Sequence, residues 1–274
     1  MKDIDEINRY SLTEQHLISK EFANKTECGA IVSNSDNTIV AMVNEEDHLR
    51  IQVFESGFNI DNCYKKLLDF TKKLDKKLNF AVNEDYGYIT ACPTNVGSGM
   101  RVSVMLHLPA LAKFGYLSKI LEEVNNMGVS VRGLYGENTS AYGNMFQISN
   151  QKTFGEKESD TIARLKAIIQ SIIDQERKAR KILQKNSDQL EDEIYRTYGI
   201  LKNARLLSGE EAIKLLSVLR LGVSMDIVKS IPLDKIQRLI VDSGSSTLKT
   251  ILKENFEDYD ENVKRAQYIR GEID

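Results

Sequence analysis

The chain has 274 residues, 41% hydrophobic and 28% charged, enough to bury one large core or two modest ones and too apolar for a disordered polymer. Its 37 basic residues are outnumbered by 40 acidic ones, a net charge of -3, so it lacks the basic surplus with which a general nucleic-acid binder displaces counterions. Cys28, Cys63 and Cys92 stand far apart without a CxxC pair, no run of about 18 apolar residues occurs, and the opening MKDIDEINR is too polar for a signal peptide. The expectation is a cytoplasmic protein with no membrane contact and no direct nucleic-acid partner, in which any anion site is local.

In chain order, residues 29–43 (GAIVSNSDNTIVAMV) set two β-branched runs around a Ser/Asn/Asp cluster, the pattern of a hairpin. Alternation over residues 49–54 predicts a third strand, and the intervening Asn44-Glu45-Glu46-Asp47 falls in the turn between strands, open to a cleft or to water. Residues 61–80 carry Leu67, Leu68, Phe70, Leu74 and Leu78 among lysines, one face of a helix. Strands are predicted at 86–92 and 100–106 around a Pro- and Gly-rich connection. Pro109 then opens a helical pattern over 110–127, and 129–134 and 144–148 complete the strands.

Antiparallel connections with helices inserted between them predict an α+β fold on one largely antiparallel open sheet flanked by helices. After Gly155 strand signals stop. Residues 161–184 read as a long amphipathic helix, Ser208-Gly209-Glu210-Glu211 as a cap ahead of a helix over 212–221, and the acidic run 257–261 as a solvated turn before a last helix ending near Arg270. A boundary near Asn186 divides a mixed part, residues 1–186, from an all-helical C-terminal extension, residues 187–274.

Three segments combine special backbone residues with charge: Asn44-Glu45-Glu46-Asp47-His48-Leu49-Arg50, Cys92-Pro93-Thr94-Asn95-Val96-Gly97-Ser98-Gly99-Met100-Arg101 and Val131-Arg132-Gly133-Leu134-Tyr135-Gly136-Glu137. Singly, each is an ordinary charged turn or Gly/Pro connection. In this order and sequence they resemble the guanidino (phosphagen, ATP:guanido) kinase family, whose members phosphorylate guanidinium groups with ATP. CPTNVGSGMR is similar to the family's Cys-Pro-Ser/Thr-Asn-x-Gly-Thr/Ser-Gly-x-Arg signature, and NEEDHLR to a second one. RGLYGE followed by GNMFQISNQ, together with the continuation through 187–274, looks like the bacterial protein-arginine kinase branch.

The chemistry agrees with that resemblance. Arginine has a pKa above about 12, so its nitrogen becomes a nucleophile only when a carboxylate orients it and takes a proton. The resemblance implies Glu46 as that base, Glu137 as a second carboxylate gripping the guanidinium, and Cys92 beside it, where a thiolate favours the bound cation. Transfer of a phosphoryl group asks mainly for alignment and charge neutralisation. By the same resemblance Arg50, Arg101 and Arg132 occupy nucleotide-phosphate positions and Val102, Ser103, Val104 and Met105 continue a nucleotide-contacting strand. Gly133, Leu134, Tyr135, Gly136 and Glu137 bring backbone close to ATP, and His16 matches a nucleotide-contacting histidine. Mg2+ is held mainly through ATP; His48 and His107 read as structural, without a third ligand for a metal held by protein. Glu261-Asn262-Val263-Lys264-Arg265-Ala266 stands where the branch carries the phosphoarginine-sensing Arg-Asp-x-x-Arg-Ala; Arg265 and Ala266 match, while Glu261 reverses the charge of the first arginine.

The resemblance implies a glutamine-synthetase-like catalytic domain and a kinase forming phosphoarginine on proteins, marking them for stress-related degradation. Its implied partners are arginine-containing substrates such as the heat-shock repressor and misfolded proteins, a small zinc-binding activator protein, an unfoldase–protease complex and a second copy in a homodimer. The family's N-terminal Ser-Ser-Arg-x-Arg has no counterpart in the sequence, which leaves a shortened gene product and a variant of reduced activity both open. Two other readings also stay open: a non-catalytic module holding arginine-bearing proteins, and a kinase for a free guanidino metabolite.

Overall fold

The computed structural model describes residues 1–133 and 142–273. Two helices precede the first strand: α1 (Glu6–Glu14), N-capped by Asp5, and α2 (Lys20–Asn24), N-capped by Ser19. Sequence analysis assigns no element to this stretch. Both helices are short and mixed in polarity, so their capping residues are the only local signal. A meander follows, β1 (Ala30–Ser33), β2 (Ile39–Val43) and β3 (Leu49–Val53), with Val32 opposite Ala41 and Ala41 opposite Ile51. After α3 (Ile60–Asp75) comes a two-stranded ribbon of β4 (Val82–Asn83) and β5 (Gly87–Tyr88).

The second three-stranded sheet has the order β6-β8-β7, all antiparallel, from β6 (Ser103–His107), β7 (Val129–Gly133) and β8 (Met145–Asn150). Between β6 and β7 lie α4 (Pro109–Lys113) and α5 (Leu117–Asn126), and α6 (Glu158–Leu183) follows β8. The α+β class and antiparallel pairing match the sequence-based expectation, but the described strands form three separate sheets rather than one. The strand expected at 86–92 shrinks to Gly87–Tyr88 because the chain turns away: the Thr90 hydroxyl donates to Cys92 O at 2.8 Å, and Pro93, with no N–H for a ladder, opens a 3-10 turn over Pro93–Asn95.

Period-two alternation gives the second sheet two unlike faces. Val104, Leu106, Val129, Val131, Phe146 and Ile148 pack with α4, α5 and the Ile162, Leu165, Ile169 and Ile172 stripe of α6. Leu165 and Ile169 are wholly buried, and each such side chain stabilises the fold by about 1.5–3 kcal/mol. The other face carries Ser103, Met105, Ser130, Arg132, Gln147 and Ser149, brought by the register into two cross-strand rows, Ser103–Ser149–Ser130 and Met105–Gln147–Arg132.

After a 3-10 turn at Gln184–Asn186 the chain is helical: α7 (Ser187–Asn203), α8 (Gly209–Ser224), α9 (Leu233–Asp242), α10 (Ser245–Leu252) and α11 (Asp258–Ile273). Ile194, Leu201, Leu216, Leu219, Ile236, Leu239 and Ile269 build the core that α7, α8, α9 and α11 share. Ser208 caps α8 by accepting Glu211 N–H at 3.2 Å, as the sequence predicts. The acidic run 257–261, expected as a turn, instead opens α11, where carboxylates in a first turn suit the positive end of the helix dipole. The two parts interlock. Glu14 of α1 accepts the N–H groups of Ser246 and Thr247 at 3.0 and 2.7 Å, capping α10 from the opposite end of the chain. Among the described residues no helix is long and apolar enough to cross a membrane.

Candidate active site

The turn between β2 and β3 closes with Asn44 at φ 58, a left-handed conformation that asparagine tolerates. Glu45 turns inward, its side chain 8% exposed, and accepts the Ser19 hydroxyl at 2.5 Å, the Glu46 N–H at 2.9 Å and Arg50 Nη1 at 3.0 Å. Burial pushes the Glu45 carboxyl up, but the Ser19 and Glu46 hydrogen bonds and the Arg50 charge outweigh it and hold it below the ordinary glutamate value. Glu46 is exposed, with Oε2 3.5 Å from Asn95 Nδ2, and Asp47 Oδ1 accepts the Ala91 N–H at 2.6 Å. These two bonds join the acidic turn to the cysteine loop.

In that loop Cys92 Sγ lies 3.0 Å from Thr94 Oγ1. Thr153, just beyond β8, fastens the loop from outside: its hydroxyl lies 2.8 Å from both Thr94 O and Val96 O, and its carbonyl accepts Ser98 N–H at 2.9 Å. The approach demands a glycine at position 97. Gly97 has φ 111, and a Cβ there would meet Thr153 O at 2.4 Å.

Arg101 enters β6 with Nη2 donating to the Ser149 hydroxyl at 3.0 Å, Arg132 stands exposed on β7 across from Gln147, and Arg50 reaches over from β3. Burial first, then the neighbouring Arg132 and Arg50 charges, push the Arg101 guanidinium below its ordinary pKa, so the three cations share one region. Among the described residues their one carboxylate partner is Glu45, held by Arg50. A like-charged cluster with so little compensation fits an anion with several oxygens, such as a polyphosphate. A cavity of about 410 Å³, lined by Glu21, Phe22, Lys25, Glu45, Glu46 and Arg50, opens beside the acidic turn.

The remaining expected residues divide. Ser103 and Met105 lie on the polar face of the sheet, whereas the side chains of Val102 and Val104 pack against the core. Gly133 ends β7; Leu134, Tyr135, Gly136 and Glu137 lie outside the described residues. His16 sits at φ 61 between α1 and α2, its pKa lowered by burial, on a turn that Gln52 Nε2 ties to β3 through Leu17 O at 2.9 Å.

Arg265 and Ala266 are remote from this cleft by burial in the extension, 2% and 0% exposed. Arg265 donates to Ser243 O, Leu207 O, Asn262 Oδ1 and Glu261. Sequence reasoning passed over Glu45, Ser19 and Thr153. Glu45 carried a readable signal, since neighbouring side chains on an extended turn point apart and a cleft-facing Glu46 sends Glu45 inward. Thr153 carried none.

Residues 1–179 match the family described as ATP:guanido phosphotransferase, C-terminal catalytic domain, and residues 187–274 match the protein-arginine kinase McsB C-terminal domain. The chain is similar to the protein-arginine kinase of Clostridium tetani, 39% identical over 272 residues that cover 99% of this chain and 80% of that one. The protein-arginine kinase of Clostridium acetobutylicum is 42% identical over 261 residues, 95% of this chain and 77% of the relative. Among solved structures, the duplicated taurocyamine kinase from Schistosoma mansoni with bound transition state analog components aligns with TM-score 0.55 and 27% identity, over 64% of this chain and 26% of that one. Lombricine kinase shares the fold at TM-score 0.55 and 23% identity, over 65% and 52% of the two chains.

Proposed function

Because the chain belongs to the ATP:guanido phosphotransferase family, and within it to the protein-arginine kinase branch, we propose that it transfers the γ-phosphoryl group of ATP to arginine side chains of proteins. The observation that carries this reading is the joining of the acidic turn to the cysteine loop through Asp47–Ala91 and Glu46–Asn95, with Arg50, Arg101 and Arg132 gathered nearby. A carboxylate suited to a cation and a cluster suited to an anion therefore border one cleft.

ATP supplies the phosphoryl group, with Mg2+ held mainly by the nucleotide's own oxygens. The three guanidiniums align and neutralise the phosphate oxygens. Glu46 orients the acceptor guanidinium and takes the proton its nitrogen loses as the N–P bond forms and the P–O bond to ADP breaks. Glu45 acts at one remove, holding Arg50 and the Glu46 N–H in place. Cys92 favours the cationic acceptor electrostatically. Glu137 as second carboxylate, and His16, Val102, Ser103, Val104, Met105, Gly133, Leu134, Tyr135 and Gly136 as nucleotide contacts, belong to the same proposal. Val102 and Val104 can then serve only through backbone atoms.

The reading assigns residues 1–186 to catalysis and 187–274 to a protein-directed extension. It places the enzyme in the cytoplasm as a homodimer working with an activator protein and an unfoldase–protease complex. The test is incubation with labelled ATP, Mg2+ and an arginine-rich protein, scored for acid-labile, alkali-stable label. Label on free arginine in preference to protein moves the assignment to a metabolite kinase. Binding of the arginine-rich protein with no label makes the chain an adaptor.

A further inference from the structure

Helix α2 has only five residues, too few to hold its shape alone, and both its ends close on Glu45. At its N-cap the Ser19 hydroxyl accepts the Phe22 N–H at 3.1 Å and donates to Glu45 Oε1 at 2.5 Å; at its C-cap Lys25 Nζ donates to the Glu45 carbonyl at 2.8 Å. Between these ends Phe22 and Ala23 pack with Met1, Ile18 and Met42 of β2 in a small core. The carboxylate held in this way is the one that takes Arg50 Nη1 and the Glu46 N–H. One short helix therefore fixes the residue on which a cleft cation and the acidic turn both depend.

Helix α2 is in turn held by α1. Arg9 Nε donates to Ala23 O at 2.9 Å and the Tyr10 hydroxyl to Asn24 Oδ1 at 2.8 Å. The same helix is fastened to α10 of the extension. Beside its bonds to the Ser246 and Thr247 N–H groups, Glu14 accepts the Thr247 hydroxyl at 2.7 Å; Ser11 donates to Thr247 Oγ1 at 3.3 Å, and Asn8 Oδ1 accepts the Thr250 hydroxyl at 3.2 Å. Ser11 and Thr247 are buried, and a Cβ on Gly244 would lie 2.4 Å from Glu14 Oε2, so the approach is close. Hydrogen bonds thus lead from α10 through α1 and α2 to Glu45 and Arg50.

We propose that Ser19 is a positioning residue for phosphoryl transfer, holding Glu45 so that Arg50 and Glu46 keep their places, and that the extension seats it through Glu14 and α1. The inference rests on the kinase reading, from which Arg50 and Glu46 take their roles. The extension then supports the cleft from the α10 side, over a path that touches neither nucleotide nor acceptor.

The experiment uses the full chain with Ser19→Ala, Ser19→Thr and Glu14→Ala, and with Ser19→Ala and Glu14→Ala each combined with Arg50→Ala, read by calorimetric titration with ATP and Mg2+. Ser19→Ala weakens ATP binding about fivefold, the worth of one hydrogen bond, and Ser19→Thr, which keeps both cap and donor, restores it. Glu14→Ala weakens it about threefold. Neither substitution weakens binding further once Arg50 is alanine, because both act through that guanidinium. A general loss of stability would weaken binding in both backgrounds alike. Undiminished binding in Ser19→Ala, or additive losses in the double variants, overturns the proposal; a loss in Ser19→Ala without one in Glu14→Ala overturns the part given to the extension. The Glu45 carboxyl, followed by NMR, gives a readout without nucleotide: with the Ser19 donor deleted or displaced it titrates at higher pH in both single variants than in the wild type. If wild-type chain binds no ATP, or binds it and transfers no phosphoryl group, the kinase reading fails by itself, and an unshifted Glu45 carboxyl overturns the clamp. Should Ser19→Ala not fold, Ser19→Gly takes its place, since glycine is tolerated at an N-cap, and Glu14→Gln stands in for Glu14→Ala in the same way.

Discussion

Two glutamate–arginine pairs in this chain have the same chemistry and opposite fates. In Glu45–Arg50 the acid is buried and the base is not, with side chains 8% and 46% exposed; in Glu261–Arg265 the base is the sealed partner at 2%, with the acid at 18%. Arg50 spends one bond on Glu45 and lines the cleft, whereas Arg265 is taken up by Ser243 O, Leu207 O, Asn262 and Glu261. Glu261 is itself engaged by the Ser245 hydroxyl at 2.7 Å. Burying the acid presents a cation to solvent and makes a place for an anion. Burying the base makes a tie between helices. An incoming phosphoryl group would have to expel Glu261 before reaching Arg265, so we propose that Arg265 and Ala266 serve packing here rather than phosphoarginine sensing.

The strongest test of this contrast is at the cleft. Glu46→Gln keeps shape and exposure but removes the proton acceptor, and label transfer to an arginine-rich protein falls by about three orders of magnitude with an unchanged melting temperature. Retained labelling would move the base elsewhere. Next comes Arg265→Ala, which leaves Glu261 and two carbonyls without their partner and lowers unfolding free energy in urea by about 3 kcal/mol. Arg50→Ala sharpens the comparison from the other side: the buried Glu45 keeps the Ser19 hydroxyl and the Glu46 N–H, so losing the half-exposed Arg50 costs about 1 kcal/mol of stability, yet ATP binding measured by titration weakens about tenfold. If Arg50→Ala destabilises the chain as much as Arg265→Ala does, the distinction between the pairs is lost.

What could be read in advance follows the range of the interactions. The meander over 30–53 was legible because β-branched alternation and the Ser/Asn/Asp turn are local, and the Ser208 cap because its partner Glu211 is three residues away. The separation of the strands into three sheets was not, since Thr90 and Pro93 end a strand by turn chemistry that outweighs apolar propensity. In the site, the motifs picked out Glu46, Cys92, Arg50, Arg101 and Arg132. Their mutual arrangement depends on Asp47 meeting Ala91 and on Thr153 closing the cysteine loop, pairings between distant parts of the chain that no periodicity encodes. The division of Val102 and Val104 from Ser103 and Met105 was readable from alternation alone.

The smallest expected effect lies at the end of β6, where the buried His107 ring has Nε2 2.9 Å from the Ser217 hydroxyl of α8. His107 is neutral because burial, and after it the charges of Arg220 and Arg180, make its protonated form unfavourable; Glu176, the nearby acid of that network, is occupied by Arg180 and by the Ala110 and Leu111 N–H groups. In the unfolded chain the ring takes a proton near its ordinary value of 6.5, whereas in the folded chain it does so only well below that. Unfolding therefore binds a proton between those two values. The contribution is complete above pH 6.5 and is lost as pH falls through the window beneath it. Each pH unit inside the window costs about 1.4 kcal/mol per such group, and His16, also lowered by burial, adds in the same direction. His107→Gln retains a side chain able to meet Ser217 but carries no titrating proton. Urea unfolding at neutral and mildly acid pH then shows a shallower loss of stability in the variant than in the wild type. Equal slopes would mean that His107 already shares its proton with solvent, and that α8 covers this end of the sheet less tightly than it does the Arg265 tie.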